Sequence, residues 1–398
     1  MSSRFPTTPG YGRARTAVTV VFLVHGLYTA IWVPQIPVVK ARLGLDEAGL
    51  SLALLMIAIG ALVGMPLTGW LVGRYGTRSI TLLGTALMGL GFMLPVLMPS
   101  YLTLVAGLMF AGLSMGMMDV AMNANGVEVE QRYGRPILSS LHGFFSVGAL
   151  AGSLALAAIL RADVGLPVVV ITSMVSCIAL GVLASLYLLT SPRPPTVKST
   201  STAIDRHSPR RRWWQGLTVP LLLLGGIGTL AYLIEGAVVD WGGVFSLGPL
   251  GADLADAGLA YAGFSAAMAI MRLIGDRLQR WISRQTLLIA GSAVAAVSCL
   301  AFALSPTLPF SIAAAFVMGF GLANVVPIVF AIAGQQPDRP PGEGIAAVAA
   351  LAYAGFLGGP PLIGWLASQT DLRIAFVAIA ALALGMTLLS VFAVRRHR

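Results

Sequence analysis

Hydrophobic positions along the 398-residue chain fall into twelve apolar runs, separated mostly by short polar connections. A run of about 20 apolar residues spans the hydrocarbon core of a bilayer as an α-helix. These runs are too long and too continuous for barrel strands, so the pattern predicts an all-α membrane protein. The predicted helix cores are 17–39, 50–73, 79–98, 101–124, 138–160, 166–189, 217–245, 258–278, 286–305, 308–334, 344–368 and 373–394.

One connection differs from the others in length and composition. Residues 190–216 are rich in Ser, Thr, Pro and Arg, which is typical of a flexible polar linker. The chain therefore divides into an N-terminal tail (1–16), a first six-helix bundle (17–189), the linker (190–216), a second bundle (217–394) and a C-terminal tail (395–398).

Lys and Arg are distributed unevenly between the two sets of connections. Of the 25 Lys and Arg residues, 21 lie in the tails, the linker and the connections on the same side as the tails. The other four are Lys40, Arg42, Arg161 and Arg373. Positive residues are retained on the cytoplasmic side, so the pattern predicts that both termini are cytoplasmic and that the number of spans is even.

Composition agrees with this reading and excludes several classes of protein. Hydrophobic residues make up 57% of the chain and charged residues 10%, which excludes a soluble domain. The net charge of +10 follows the topology and predicts no nucleic-acid partner. The two cysteines, Cys177 and Cys299, lie in apolar runs and indicate neither a disulfide framework nor a metal site. No cofactor is implied, and no Walker loop for ATP is present.

The fourth span carries an ionisable group in an apolar setting. Asp119 and Asn123 lie one turn apart on the same helix face, together with Gly112 and Gly116. A carboxylate in hydrocarbon is costly and normally faces a bundle interior or a wet cavity, and small residues allow close helix packing. This face is predicted to line a solute pathway, with Asp119 in proton coupling and Asn123 in solute binding.

Two other readings of this span remain open. Asp119 lies about 27 Å along its helix, near one membrane face, where it would also serve as a structural lock by pairing with an arginine. The sequence Gly112-x-Ser114-x-Gly116 matches the nucleophile elbow of hydrolases, but that motif needs a strand before it. We therefore predict that the protein is not an enzyme.

Further polar residues in the spans are candidates for solute binding or proton coupling. In span one, His25, Tyr28, Trp32 and Gln35 recur at steps of three and four and are predicted to contact solute, although Trp32 and Gln35 would also suit an outer-interface role. Span seven adds Tyr232 for solute and Glu235 for protons, while Asp240 and Trp241 are expected at the outer interface.

Histidine is the residue whose charge changes near neutral pH, and His142 begins span five close to the expected depth of Asp119. The sequence therefore predicts that His142 takes part in proton coupling, as a possible partner of Asp119. Asn324 in span ten is predicted either to contact solute or to bond a neighbouring helix.

The two halves of the chain share an internal repeat. Gly69, Arg74 and Arg78 after span two recur as Gly275, Arg280 and Arg284 after span eight. The segment Gly116 to Asp119 likewise corresponds to the segment Gly321 to Asn324. A repeat of six spans is typical of transporters whose solute site lies between two similar bundles.

The repeated loop resembles a signature of the major facilitator superfamily, Gly-x-Leu-x-Asp-Arg-x-Gly-Arg-Lys. Gly69, Leu71, Arg74, Gly76 and Arg78 match it, whereas Gly73 stands where the family has aspartate. The resemblance implies twelve helices in two pseudo-symmetric bundles, a central cavity lined by helices one, four, seven and ten, and a gating role for this loop and its second copy. The missing acid puts the family's usual charge relay in doubt.

Within the superfamily, the segments from Asp119 to Glu130 and from Ser139 to Gly148 look most like the bacterial MosC-like (YbjJ-like) branch. We therefore expect a monomeric secondary active transporter of the bacterial inner membrane. It is expected to be a symporter, in which protons accompany a small polar solute. The alternative is a proton-driven exporter of amphipathic compounds or drugs. A receptor without transport is a third reading, which the lack of a sizeable soluble domain disfavours.

Overall fold

The computed structural model describes residues 9–133, 137–190, 218–279, 281–333, 335 and 341–396. Twelve of its helices are long and apolar enough to cross a membrane, and the described residues form no strand. The prediction of an all-α membrane protein with twelve spans is therefore confirmed. Of the predicted linker (190–216), residues 191–216 lie outside the described part of the chain.

The first half contains seven helices, because its first span is built from two. The helices are α1 (Pro9–Trp32), α2 (Gln35–Arg42), α3 (Glu47–Tyr75), α4 (Thr77–Met93), α5 (Tyr101–Tyr133), α6 (Leu138–Arg161) and α7 (Leu166–Ser185). Within this half α3 packs along α5, α1 along α6, and α4 along α5. Gly112 and Gly116 allow the α3–α5 approach, since a Cβ on Gly116 would lie 2.6 Å from the Ala61 carbonyl oxygen.

The second half repeats the arrangement, with its fourth span divided. The helices are α8 (Val219–Leu247), α9 (Leu259–Leu278), α10 (Arg284–Ala303), α11 (Leu308–Leu322), α12 (Val325–Ala333), α13 (Pro341–Gln369) and α14 (Leu372–Arg396). Here α8 packs along α13, α10 along α14, and α9 along α11. Asn324 occupies the break between α11 and α12, whereas the matching residue of the first half, Asp119, lies inside the continuous α5.

We name the two ends of the bundle by their residues. The N-terminal face carries the start of α1 at Pro9, the α3–α4 turn at Gly76 and the end of α14 at Arg396. The opposite face carries the α2–α3 connection at Asp46 and the α6–α7 connection at Asp163. Gly76 turns the chain with φ +82°, a conformation that side chains with a Cβ rarely adopt.

The two halves meet mainly through α6 with α9 and through α3 with α13. On the opposite face, Ser51 Oγ of α3 donates to the Pro360 carbonyl of α13 at 2.5 Å, and an Arg161–Asp256 ion pair joins α6 to the start of the α9 span. Nearer the N-terminal face, a Cβ on Gly143 of α6 would lie 2.9 Å from Leu273 of α9. These contacts leave a space between the halves.

All four cations that the sequence places on the opposite face have protein partners. Lys40 pairs with Glu47 at 3.1 Å. Arg42 donates to three carbonyls at the end of the third span, including Pro95 at 2.9 Å and Met98 at 2.7 Å. Arg373 donates to three carbonyls in the second half, including Ser305 at 2.8 Å. With the Arg161–Asp256 pair, these contacts give each of the four exceptions to the charge pattern a local structural role.

Candidate functional site

A cavity of about 620 Å³ lies between the two halves. In the first half it is lined from α1, α3, α4, α5 and α6, and in the second half from α8, α9, α12 and α13. Seven of the residues predicted from the sequence for solute binding or proton coupling line it. They are His25, Trp32, Asp119, Asn123, His142, Tyr232 and Glu235.

Asp119 is the polar centre of the first-half wall. Asn123 Nδ2 donates to Asp119 Oδ1 at 3.1 Å and also to the Asp119 carbonyl at 2.9 Å. The hydroxyl of Tyr353 on α13 donates to Asp119 Oδ2 at 3.4 Å. Asp119 is therefore bonded to both halves at once, and within the described chain it forms no ion pair with an arginine or with His142.

Three aromatic rings of the second half stand beside this carboxylate. Tyr232 stacks on Phe356 with ring centroids 4.5 Å apart and an interplanar angle of 27°. Tyr353 lies 5.6 Å from Tyr232 and 6.2 Å from Phe356, measured between centroids. We call these residues the aromatic group, and all three line the cavity.

Two further carboxyl groups enter the cavity from α8. Glu235 follows Tyr232 by almost one turn, and Asp240 lies nearer the opposite face. Neither carboxyl group bonds to any residue of the described chain.

The sequence placed Asp240 and Trp241 at the outer interface, and this was wrong for both. Asp240 lines the cavity, and Trp241 is fully buried because α8 continues to Leu247.

Positive charge reaches the cavity from Arg272 of α9. Its Nη1 donates to Ser146 Oγ of α6 at 3.1 Å, which joins the two halves near the N-terminal face. His142 lies one turn before Ser146 on α6 and meets the edge of the Phe22 ring at 5.3 Å. The sequence analysis counted Arg272 only as a topological charge, and nothing in its local pattern marked it as a cavity residue.

His25 is the most enclosed of the polar lining residues on α1. It is 7% exposed, its ring meets the Phe145 ring edge-on with centroids 5.2 Å apart, and its Nδ1 has no hydrogen-bond partner among the described residues. Trp32 lines the cavity two turns further along α1 and packs against Phe92 at 5.6 Å. The stripe predicted on span one therefore reaches the cavity at two of its four members.

The other two members of that stripe, and Asn324, do not line the cavity. Tyr28 is fully buried within the first half and donates to the Thr85 carbonyl at 3.0 Å. Gln35 is also fully buried and donates to the Phe92 carbonyl at 3.0 Å. Asn324 packs against α9, where a Cβ on Gly275 would meet its Oδ1 at 2.7 Å. These three side chains pack between neighbouring helices, so we propose no solute contact for them.

The helix that carries Asp119 is longer than the sequence predicted. The sequence ended the fourth span at 124, which placed Asp119 near a membrane face. In the structure α5 continues to Tyr133, so Asp119 lies about 27 Å from one end of the helix and about 21 Å from the other. The residue thus stands near the middle of its helix, beside the cavity.

The serine motif on the same helix has no catalytic surroundings. Ser114 lies inside α5, and its Oγ donates to the Phe110 and Ala111 carbonyls of that helix at 2.9 and 2.8 Å. The side chain is fully buried. This hydroxyl therefore satisfies its own helix and does not face the cavity.

The residues of the predicted gating loops lie on the N-terminal face. Gly69 and Arg74 are exposed on the last turns of α3, and Arg74 stands over the Trp70 and Tyr75 rings at 5.9 and 5.7 Å. Arg78 is half-buried in the first turn of α4. In the second copy, Arg284 donates to Gln279 at 3.1 Å, while Arg280 lies outside the described residues.

The family model of the Major Facilitator Superfamily matches residues 18–340 and 239–398. The chain belongs to the Major Facilitator Superfamily. An uncharacterized MFS-type transporter of Yersinia pestis is 34% identical over 376 residues, covering 94% of each chain. The membrane protein MosC of Rhizobium meliloti is 28% identical over 393 residues, covering 98% of this chain and 93% of MosC. The predicted family and its MosC-like branch are thereby confirmed.

Solved structures agree with the fold. The crystal structure of a D323A mutant of the nucleoside transporter NupG aligns with a TM-score of 0.75 at 10% identity, covering 96% of this chain and 99% of that one. A bacterial homologue of the human lysosomal transporter Spinster, in an inward-facing and unoccupied conformation, aligns with a TM-score of 0.73 at 15% identity and covers 98% of each chain. The protein is accordingly a transmembrane transporter of twelve spans.

Proposed function

We propose that this transporter is a proton-coupled secondary active transporter that moves a small polar solute across the bacterial inner membrane by alternating access. The observation that supports it best is the cavity of about 620 Å³ between the halves, which holds three carboxyl groups among its described lining residues. Solute pockets of several hundred Å³ with a few convergent polar groups are typical binding sites. Ionisable groups within a membrane span are costly and are retained for transport or proton relay.

Alternating access requires contacts that close the cavity on one face of the membrane at a time. Ser51, Pro360 and Gly364 join α3 to α13 on the opposite face, and the Arg161–Asp256 pair joins α6 to the α9 span there. These contacts support a conformation that is closed on the opposite face. We assign the N-terminal face to the cytoplasm from the distribution of Lys and Arg.

The lining residues have different roles in this transport. Glu235 is the principal proton carrier, because its carboxyl group has no bond to the described chain. Asp119 and His142 are the further coupling residues. Asn123, Tyr232, His25 and Trp32 contact solute, since hydroxyl, amide and ring groups can fix its orientation.

A proteoliposome assay with an imposed pH gradient tests this proposal. Sugars, polyols, amino acids and organic amines are offered as solutes, and accumulation is compared with counterflow exchange at equal pH. Glu235→Gln is expected to abolish proton-driven accumulation while exchange continues. Asp163→Asn is the matched control, because Asp163 is an exposed carboxylate in the α6–α7 connection with φ 56°, which asparagine accepts. Accumulation that persists in Glu235→Gln would reject this residue as the carrier.

The aromatic lining favours one second candidate, export of amphipathic compounds. Tyr232, Phe356 and Phe330 present rings to the same cavity. Lipophilic cations are therefore included in the same assay, with the gradient imposed in each direction. Efflux of these compounds, without accumulation of hydrophilic solutes, would replace the first proposal with this one.

A further inference from the structure

The first-half carboxylate and the second-half rings form one continuous surface in the cavity. Tyr353 belongs to both parts, because its hydroxyl donates to Asp119 Oδ2 at 3.4 Å while its ring lies in the aromatic group. Resting on the transport function proposed above, we propose that the solute is a small hydrophilic organic cation. Its ammonium group binds between the Asp119 carboxylate and the rings of Tyr232, Tyr353 and Phe356.

The charged groups of the cavity favour a solute that carries a positive charge. Its described lining residues include three carboxyl groups, Asp119, Glu235 and Asp240, and one guanidinium group, Arg272. Arg272 is held toward α6 by its bond to Ser146, away from the opposite face where Asp240 lies. Carboxylates in a site of low dielectric attract a cation more strongly than they do in water. An anionic solute would meet carboxyl groups from both halves in the same space.

The aromatic group supplies a second kind of cation partner. The negative face of an aromatic ring attracts ammonium groups, and several rings together recognise substituted ammonium ions. Tyr232 and Phe356 stack nearly parallel, and Tyr353 stands beside both of them. A carboxylate that adjoins these rings therefore matches both the charge and the apolar substituents of an organic ammonium group.

A third polar group indicates what the rest of the solute carries. Asn123 lines the first-half wall of the cavity, and its Nδ2 donates to Asp119 Oδ1 at 3.1 Å. Its amide therefore stands beside the carboxylate that would hold the ammonium group. Hydroxyl or amide groups on the cation would meet Asn123 and the ring of His25, which lines the same wall.

The charge requirement can be tested with pairs of compounds of equal shape. The purified full-length protein in detergent is offered radiolabelled choline, ethanolamine and 2-phenylethylamine in a scintillation proximity binding assay. Each compound is competed with its unlabelled form and with a neutral isostere, for choline 3,3-dimethylbutan-1-ol. We expect at least one cation to bind about tenfold or more tightly than its isostere. If no cation in the panel outcompetes its isostere, the inference is overturned.

Variants locate the binding site of the charge. Asp119→Asn keeps the shape of the side chain and is expected to lower cation affinity at least about tenfold while leaving the affinity of the neutral isostere unchanged. Tyr353→Leu is expected to lower the affinity for the cation more than Tyr353→Phe does, because only the first change removes the ring. Asp163→Asn, a surface carboxylate change, is the control. Undiminished cation binding in folded Asp119→Asn would overturn the assignment of the site.

These binding measurements involve no gradient, so they separate the inference from the proposed function. Cation binding without proton-driven uptake would remove proton coupling and leave the inference standing. Proton-driven uptake of neutral solutes, with no cation preferred over its isostere, would remove the inference and leave the coupling. Should Asp119→Asn fail to fold, the comparison of cation and isostere on the unmodified protein still decides the charge requirement.

Discussion

The hydroxyl of Tyr353 lies 3.4 Å from Asp119 Oδ2, and the two residues belong to different halves of the protein. Tyr353 is on α13 and Asp119 is near the middle of α5. A movement of one half against the other changes this distance directly. Which group bonds to the Asp119 carboxylate therefore affects the relative position of the two halves.

Tyr353→Phe is predicted to shift the balance between conformations. The change removes the hydroxyl and keeps the ring, and a net hydrogen bond is worth about 1 kcal/mol, which corresponds to about a fivefold change in an equilibrium constant. We expect the equilibrium constant that favours the conformation described here to fall by about that factor. Double electron–electron resonance between spin labels at Gly73 and Trp281, both exposed near the N-terminal face, measures it.

Tyr187→Phe is the control for this change, because Tyr187 is 62% exposed just beyond α7 and away from the cavity. Its distance distribution should match that of the parent protein. An unchanged distribution in Tyr353→Phe as well would mean that the contact with Asp119 does not contribute to the balance between conformations.

Gly364→Ala is predicted to disturb the seal on the opposite face. A Cβ at this position would meet the Ser51 side chain and lie 2.6 Å from the Glu47 carbonyl oxygen, so α13 must move away from α3. We expect membrane-impermeant maleimide, added from the opposite face, to label a cavity cysteine introduced at Ala58 about threefold faster or more. The threefold change corresponds to less than about 1 kcal/mol in the opening equilibrium.

Gly358→Ala is the matched control on the same helix, since nothing lies within 4 Å of its Cβ position. Its labelling rate should remain at the parent value. Equal labelling of the two variants would show that close packing at Gly364 does not keep the opposite face closed.

Arg42→Gln is predicted to destabilise the protein without altering the cavity. The guanidinium group donates to the Val96, Pro95 and Met98 carbonyls, which end the third span. Loss of charged bonds to partly buried carbonyls costs about 1.5–3 kcal/mol. The measurement is thermal unfolding in detergent. Arg132→Gln is the control, because Arg132 is exposed like Arg42 but bonds to no carbonyl of the described chain. Equal unfolding temperatures for both variants would contradict a capping role for Arg42.

Hydropathy predicted the spans well because the lipid core selects helices by length and apolarity alone. It could not predict that α5 continues nine residues past 124 to Tyr133, because a polar helix beyond the membrane and a polar loop have the same hydropathy. The mid-helix position of Asp119 could not be predicted for this reason, because composition does not give the true end of the helix.

The predicted stripe on span one shows how far helical periodicity reaches. At about 100° per residue, Trp32 lies about 20° from His25 around the helix, whereas Tyr28 lies about 60° away. His25 and Trp32 line the cavity, whereas Tyr28 packs toward α4 and donates to the Thr85 carbonyl. Gln35 follows a break at Pro34, so it starts the separate helix α2 and turns toward Phe92. The spacing identified a polar face, but only the neighbouring helices determine which side of that face is open.

Residues such as Tyr353 escaped the sequence analysis because their role depends on the other half of the chain. Tyr353 lies in the apolar middle of a helix rich in Gly and Ala, and its partner Asp119 is 234 residues away. The internal repeat predicted that two bundles meet at a seam. It did not predict the rotation of α13, which brings this hydroxyl and not a neighbouring one to Asp119.

Arg272→Gln gives a prediction whose sign depends on the charge of the solute. Arg272 is the guanidinium group among the described lining residues, and repulsion between two positive groups in one cavity falls only slowly with distance at low dielectric. Removal of this charge is expected to raise the affinity for the cations that bind by about threefold or more. Arg272→Lys keeps the charge and should leave the affinity near the parent value. The measurement is the same scintillation proximity assay.

Arg277→Gln is the matched control, because Arg277 is exposed in the last turn of the same helix, α9. Its affinity should not change, since an exposed charge is screened by salt and solvent. Arg272→Gln also removes the bond to Ser146, so thermal unfolding must show that the variant is folded. A fall in cation affinity in folded Arg272→Gln, with Arg272→Lys unchanged, would mean that the arginine attracts part of the solute. The solute would then carry a negative group as well as a positive one, and a simple cation would be the wrong class.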